Sequence, residues 1–447
     1  MQQIIVILLL CLPIGLSLLS IRFYIFYAFA LAGIPLGILM SQSSSIQSIV
    51  GIGGNAVSLL GLIFGAVIPL LMRPRYWIPH LFKYGLHLFF IIWACLSLLW
   101  APNYIFGFRM LAKLAAPLLL LLVVHTSIQR PSDIKNIEHA VFIGCFIMLF
   151  YSITNYIFRY SHDIQTMNFL SKHVLTAPYT SPAPFSFHLA YGALLALGKF
   201  IQERRKQYLL IFIILSSAVF WAFTRISMAG LLISVCLCMY LLMRSKALKI
   251  ILPIILCVSF LLSIFTIDFM RARMFKHPDE VTISSVFSDP QDITKQIHTS
   301  GRSDVWDVAL KIFFIDSPLL GSGVGATQEW FYGDATSRKQ VGVLHSEYLR
   351  LLCEVGIIGL ILFILAMLAY LHTLSRVFIR STLTLGLSSE ARHYSVVGIS
   401  SFVFYLITLA TDNSIDYVTA LGIFVFSSVG LTVCAYSQEQ NSLKTTR

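Results

Sequence analysis

Apolar residues run along this chain in continuous blocks, most of them close to the ~20 residues that cross a bilayer core as a helix. Blocks near 4–19, 22–40, 52–71, 84–100, 111–125, 138–158, 184–200, 208–223, 227–243, 248–267, 344–370, 393–411 and 417–436 predict membrane helices. They number about 12, or 13 if the first two blocks are separate spans. Transmembrane strands would instead alternate apolar and polar residues over segments of about ten. The pattern therefore predicts an all-α polytopic membrane protein. It breaks once, at 268–343, where a long polar segment separates spans 10 and 11. We read 1–447 as a single transmembrane domain carrying that segment as one large inserted loop.

Composition agrees. Of 447 residues, 57% are hydrophobic and 12% charged, with a mean hydropathy of +0.82. The charged share is about half that of an ordinary soluble domain. The N-terminal block has no basic stretch before it and another apolar block after it, so it reads as a membrane helix and not as a cleaved signal. The net charge of +12 sorts by side. Segments 72–83, 126–138, 199–206, 244–249, 371–392 and the C-terminal tail hold seventeen Lys or Arg against five Asp or Glu. They alternate with the other loops, which makes their side, and the C-terminus, cytoplasmic. The 268–343 segment has eight basic and ten acidic residues and lies outside. Nucleic-acid binding would need the cations gathered on one soluble surface, and no such surface is visible. The eight cysteines lie almost entirely within apolar blocks and form no metal or disulfide pattern. No nucleotide, haem or zinc signature appears, so neither a cofactor nor a metal is expected.

The outward face then collects the isolated polar groups. Arg225 stands in the short connection "FTRIS", and a half-buried guanidinium needs an anionic partner from protein or substrate. "GRSDVWDVALKIFFID" at 301–316 predicts a short amphipathic helix, with Ser300 or Ser303 as cap, Trp306 as interface anchor, Pro318 as terminator and Arg302 in the first turn. "PLLGSGVG" follows. Gly321, Gly323 and Gly325 read chiefly as a turn, and alternatively as a backbone nest for phosphate. His345, Glu347, Tyr348 and Arg350 crowd the mouth of the next span. Glu354 lies deeper, where a carboxylate is usually paired or functional, and Gly356 and Gly359 allow close helix contact. Scattered prolines and the lack of a paired repeat disfavour the inverted halves of a transporter.

Taken in order, these motifs resemble the O-antigen ligase and O-antigen polymerase superfamily of bacterial envelope glycosyltransferases. The resemblance extends over most of the membrane domain and is sharpest from about 220 to 362. "FTRIS" (223–227) is similar to the family's Ser/Thr-Arg-Gly segment, and "GRSDVW" (301–306) to its Gly-Arg-x-x-x-Trp motif. "PLLGSGVG" (318–325) is similar to its Pro-hydrophobic-Gly-x-Gly segment, and "HSEYLRLLCEVGIIGLILF" (345–363) to its His-Asn-x-Tyr-Leu helix. Ile226 stands where the family commonly has Gly, and Ser346 where it has Asn; neither change removes a reactive group.

The resemblance implies a GT-C-like lipid-linked glycan transferase of the bacterial inner membrane, active on the periplasmic face and independent of metal. Its donor would be a glycan on undecaprenyl diphosphate. A ligase would pass it to a sugar hydroxyl of lipid A–core, and a polymerase to a second lipid-linked repeat unit, with a chain-length regulator as a possible partner. On these residues, Arg225 and Arg302 would hold the diphosphate, since guanidinium binds phosphate bidentately and stays charged. His345 would orient the acceptor and act as general base. Glu347 would orient His345 or contact sugar, Tyr348 would stack on or bond to sugar, and Arg109 and Arg159 would meet phosphate or lipid headgroups. A transporter of polyprenyl-linked lipid is the rival from another class; it predicts arginines near midplane, whereas 225 and 345 stand at span ends.

Overall fold

The computed structural model describes residues 2–32, 54–161, 174–175, 181–275, 302–332 and 344–445. Gly301, Ser300, most of the inserted segment, and the side chains of Arg159 and Ser303 lie outside that description. The regular secondary structure of the described residues is helical, with no β-sheet. In chain order the helices are α1 (Gln2–Leu19), α2 (Ile21–Ala30), α3 (Gly54–Met72), α4 (Pro74–Lys83), α5 (Gly85–Leu96), α6 (Tyr104–Ser127), α7 (Pro131–Ser161), α8 (Pro182–Glu203) and α9 (Lys206–Trp221). They continue with α10 (Arg225–Leu242), α11 (Lys246–Thr266), α12 (Asp268–Met274), α13 (Arg302–Ala309), α14 (Ala326–Tyr332), α15 (Glu347–Thr384), α16 (Glu390–Thr411) and α17 (Gly422–Thr445).

Seven of these described helices are long and apolar enough to cross a membrane, or eight if the bent pair Leu59–Met72 and Trp77–Lys83 is one span. The protein is thus a multi-pass membrane protein; among the described residues, fewer helices reach full-crossing length and apolarity than there are apolar blocks. The shortfall has physical causes. Ile21–Ala30, Gly85–Trp100 and Lys206–Trp221 are apolar but shorter than a full crossing. The last helix begins at Gly422 and not near 417, because 412–421 turns. That helix is sheathed by protein, so it can carry Ser427, Ser428 and Thr432 fully buried.

Packing separates a core from a lipid-facing rim. In α8, 89% of the spanning window is buried; in the more apolar α11, 6% is. Helix α11 therefore presents its isoleucines and leucines to lipid, while α8, α16 and α17 form the centre. Helices α10 and α16 run antiparallel. Arg392 donates to the Leu241 carbonyl at one end (2.6 Å), and Gly230 meets Phe404 and Ile407 further along. Extending that register at 1.5 Å per residue brings Arg225 level with Thr411. Ser227 reinforces this end through its hydroxyl contact with Ser186 of α8 (2.6 Å).

Candidate functional site

The site is organised by the turn Thr411–Tyr417, which joins the end of α16 to α17. Its first three residues hold two of the sequence-flagged groups. Arg302, half-buried at the start of α13, donates from Nη1 to the Thr411 carbonyl at 2.5 Å. The fork carries five donors, of which this bond takes one. Burial lowers the guanidinium from its ordinary pKa, and the nearby Asp412 carboxylate opposes that. His345 precedes α15 with φ of 51°, a left-handed conformation uncommon for a residue with a Cβ. Its backbone N–H donates to Asn413 Oδ1 (3.1 Å), which fixes the amide and turns Asn413 Nδ2 toward His345 Nδ1 (3.4 Å). Asp412 Oδ1 lies 3.8 Å from the same Nδ1. The imidazole is 31% exposed, so it is reachable from outside.

Beneath this turn lies a buried charge cluster. Arg350, 3% exposed, reaches Asp416 (3.0 Å), Glu347 (3.3 Å) and Glu354 (3.5 Å). Asp416 also takes Lys113 of α6 (2.5 Å) and the Gln328 amide of α14 (3.2 Å). Two cations thus face three carboxylates, and backbone donors share the load: Ile415 N–H to Glu347 (3.0 Å) and Gly325 N–H to Glu354 (2.9 Å). Burial alone would raise Asp416; Arg350 and Lys113 override it and hold the carboxyl well below the usual range. Glu347, 0% exposed, is therefore committed to Arg350 and to the turn's backbone, with no solvated face. Tyr348 donates its hydroxyl to the Leu406 carbonyl (3.0 Å), tying α15 to α16.

The glycine segment serves packing. Gly321, Gly323 and Gly325 all have positive φ, and each presses on foreign backbone: at Glu354, at Ala101 and at Gly107. Their N–H groups go to Ser317 O (2.8 Å), Glu354 O (2.9 Å) and the Glu354 carboxylate (2.9 Å). With those donors spent internally, the phosphate nest gives way to a packed turn. The segment enters a break in α15, where Gly356 adopts φ 69° and ψ −174°. Across the break Ile357 N–H finds the Pro318 carbonyl (2.9 Å), and Trp93 donates to the Val355 carbonyl (2.9 Å). Helix α13 continues as a π-turn through Phe314. Trp306, expected as an interface anchor, instead donates to the Leu344 carbonyl (2.6 Å) and packs beside Phe313, Leu344 and Cys353. It fixes α13 to the residue before His345.

Arg225 is the first residue of α10 and is partly exposed. Beside it opens an apolar groove of about 640 Å³ between α9, α10 and α11, lined among others by Trp221, Phe223, Leu232, Phe260 and Met270. Arg109 lies in the second turn of α6, its guanidinium 5.3 Å from the Phe106 ring centroid, near where Gly107 meets Val324. Sequence reasoning singled out Arg225, Arg302 and His345; it placed the 411–417 turn on the same face without singling out Asp412, Asn413 or Asp416. The available signal was "TDNSID", a polar run between two apolar blocks. Among the described residues, no group of three or more His, Cys, Asp or Glu is placed to hold a metal ion.

Residues 210–364 match the family model described as O-antigen ligase. The matched stretch contains Arg225, Arg302, the glycine segment and His345, which bears out the family resemblance over that part of the chain. No curated protein matches the chain.

Proposed function

We propose that this protein is an O-antigen ligase-type glycosyltransferase of the bacterial inner membrane. It moves a glycan from undecaprenyl diphosphate to a sugar hydroxyl of lipid A–core on the periplasmic face. The observation that carries this reading is that consecutive residues, Thr411 to Asn413, hold both Arg302 and His345, two residues of the stretch that matches the ligase family. With the shorter apolar helices counted, the chain has about 12 spans in a GT-C-like arrangement and a cytoplasmic C-terminus.

In the reaction, Arg302 and Arg225 bind the donor diphosphate and offset the charge that grows on it as the glycosidic C–O bond breaks. The acceptor oxygen attacks the anomeric carbon from the opposite side, so configuration inverts. The His345 imidazole takes the acceptor's proton, and Asp412, 3.8 Å from Nδ1, faces the resulting imidazolium. Undecaprenyl diphosphate leaves. Guanidinium groups supply the positive charge, so the chemistry needs no metal. The polyprenyl tail lies in the groove beside Arg225, and Arg109 faces headgroups at the same end. Glu347 acts by holding the 411–417 turn, and Tyr348 by holding α16.

Complementation tests the reading. In a strain lacking the protein, lipid-linked glycan accumulates and the core stays bare. Wild type restores transfer, while Arg302→Ala and His345→Ala insert normally and do not. Normal capped core from either variant removes that residue from the mechanism.

A further inference from the structure

A second polar site lies at the other end of α16, nineteen residues from Thr411 at Arg392. There a largely enclosed cavity of about 150 Å³ is lined by Gln202, Arg204, Arg244, Ser389, Arg392 and His393, among others. Three connections meet around it: α8 to α9, α10 to α11, and α15 to α16. Three of its lining residues are arginines and none is acidic. Among the described residues, none of the three makes an ion pair with a carboxylate. Two nearby acids are engaged elsewhere. Glu203 pairs with Lys199 and Arg205, and Glu439 caps the start of α16 through Ser389 and the Glu390 N–H.

Arg392 forms the floor. It is 6% exposed, and its Nη groups donate to the carbonyls of Leu387 (3.3 Å) and Leu241 (2.6 Å). Its buried Nε has no partner. Arg244 stands close enough for the two charges to repel, and Arg204 and Arg244 are exposed at the rim. Like charges gathered round an enclosed polar space, one of them buried with an unused donor, need an anion to balance them. Guanidinium's fork matches a tetrahedral phosphate better than a spherical ion.

We propose that this cavity binds a phosphate group, remote from the transfer site, and that the bound anion ties the three connections together. Its source is either the headgroup of an anionic phospholipid or free phosphate. The site does not depend on the glycan-transfer reading.

The test uses full-length protein purified in neutral detergent, beside the double variant Arg204→Asn, Arg244→Gln. Asparagine suits position 204 because φ there is +61°. Native mass spectrometry with phosphatidylglycerol against phosphatidylcholine reads the lipid source; thermal shift with inorganic phosphate against chloride reads the free anion. Losing two charge-assisted contacts should weaken the preferred probe about tenfold or more. The variant's melting temperature without probe should equal wild type's. Selective binding of phosphatidylglycerol, or selective stabilisation by phosphate, supports the site when the variant loses it. Equal behaviour of wild type and variant toward both probes overturns it.

Discussion

His345 is held by its backbone and not only by its ring. The left-handed φ of 51° and the bond from its N–H to Asn413 aim the imidazole where the turn's carboxylate can face Nδ1. A non-glycine residue kept in that conformation costs on the order of 1–3 kcal/mol and persists where surrounding contacts over-determine it. Replacing His345, the proposed base, should lower kcat by roughly 10²–10⁴-fold with little change in donor KM. Asp412→Asn should lower kcat about tenfold, the worth of one charge-assisted contact, again with KM unchanged. Steady-state kinetics on both variants separates these expectations from a binding role. Arg302→Lys should not restore Arg302→Ala to wild-type rate, because an ammonium cannot reproduce the fork. The proposed reactive residues stand out in sequence because each is a lone cation or histidine among apolar neighbours. Their supports do not. Asp412 and Asn413 lie more than sixty residues beyond His345, and nothing local reports that the two ends of α16 and α15 meet. Glu347 misled for a different reason: helical spacing puts Glu347, Arg350 and Glu354 on one face, but it cannot say whether that face looks outward or into the protein.

The element that makes the site rigid is the glycine segment lodged in the break of α15. It replaces the missing helical bonds around Gly356 with carbonyls from Pro318 and Leu319. A Cβ at Gly321 would fall 2.5 Å from Glu354 backbone, and one at Gly356 would fall 2.2 Å from the Leu319 oxygen. Gly356→Ala should therefore cost the strain of a glycine-only conformation, ~1–3 kcal/mol, plus the clash. Melting temperature and transfer should fall together. The turn is anchored as firmly. Asp416→Asn leaves Arg350 and Lys113 short of a buried partner and should destabilise by roughly 3–5 kcal/mol. The carboxyl's pKa is depressed in the fold, so its contribution is full above the unfolded value of ~3.9 and fades only as pH falls below that toward the folded value. Wild type and Asp416→Asn should thus differ by the same amount at about pH 6 and about pH 8 in thermal melts. The sequence motif showed a turn here; that it is threaded through a broken helix is a tertiary fact carried by residues as distant as Trp93 and Trp100, which bond Val355 and Gly321.

At the scale of the molecule, a lipid-facing groove and a polar turn share one end of the bundle, which suits a substrate with an apolar tail and a charged head. Blocking the groove with Ser259→Trp should raise KM for a long-chain donor about tenfold or more, since each buried CH₂ is worth ~0.8 kcal/mol. A short-chain donor should be unaffected. The multi-pass class was plain from apolar periodicity, but the number of full crossings was not, because helices buried within protein need not be long or wholly apolar. Core sugar and lipid-linked repeat, the two acceptors the family resemblance implies, would use the same turn in the proposed mechanism and separate only by product. The most direct measurement is transfer by the purified protein in liposomes, with no ion gradient, from undecaprenyl diphosphate-linked glycan to lipid A–core. The account predicts glycan on the core with inverted anomeric configuration, and none above background with His345→Ala. Retained configuration, or equal product from His345→Ala and wild type, would contradict it.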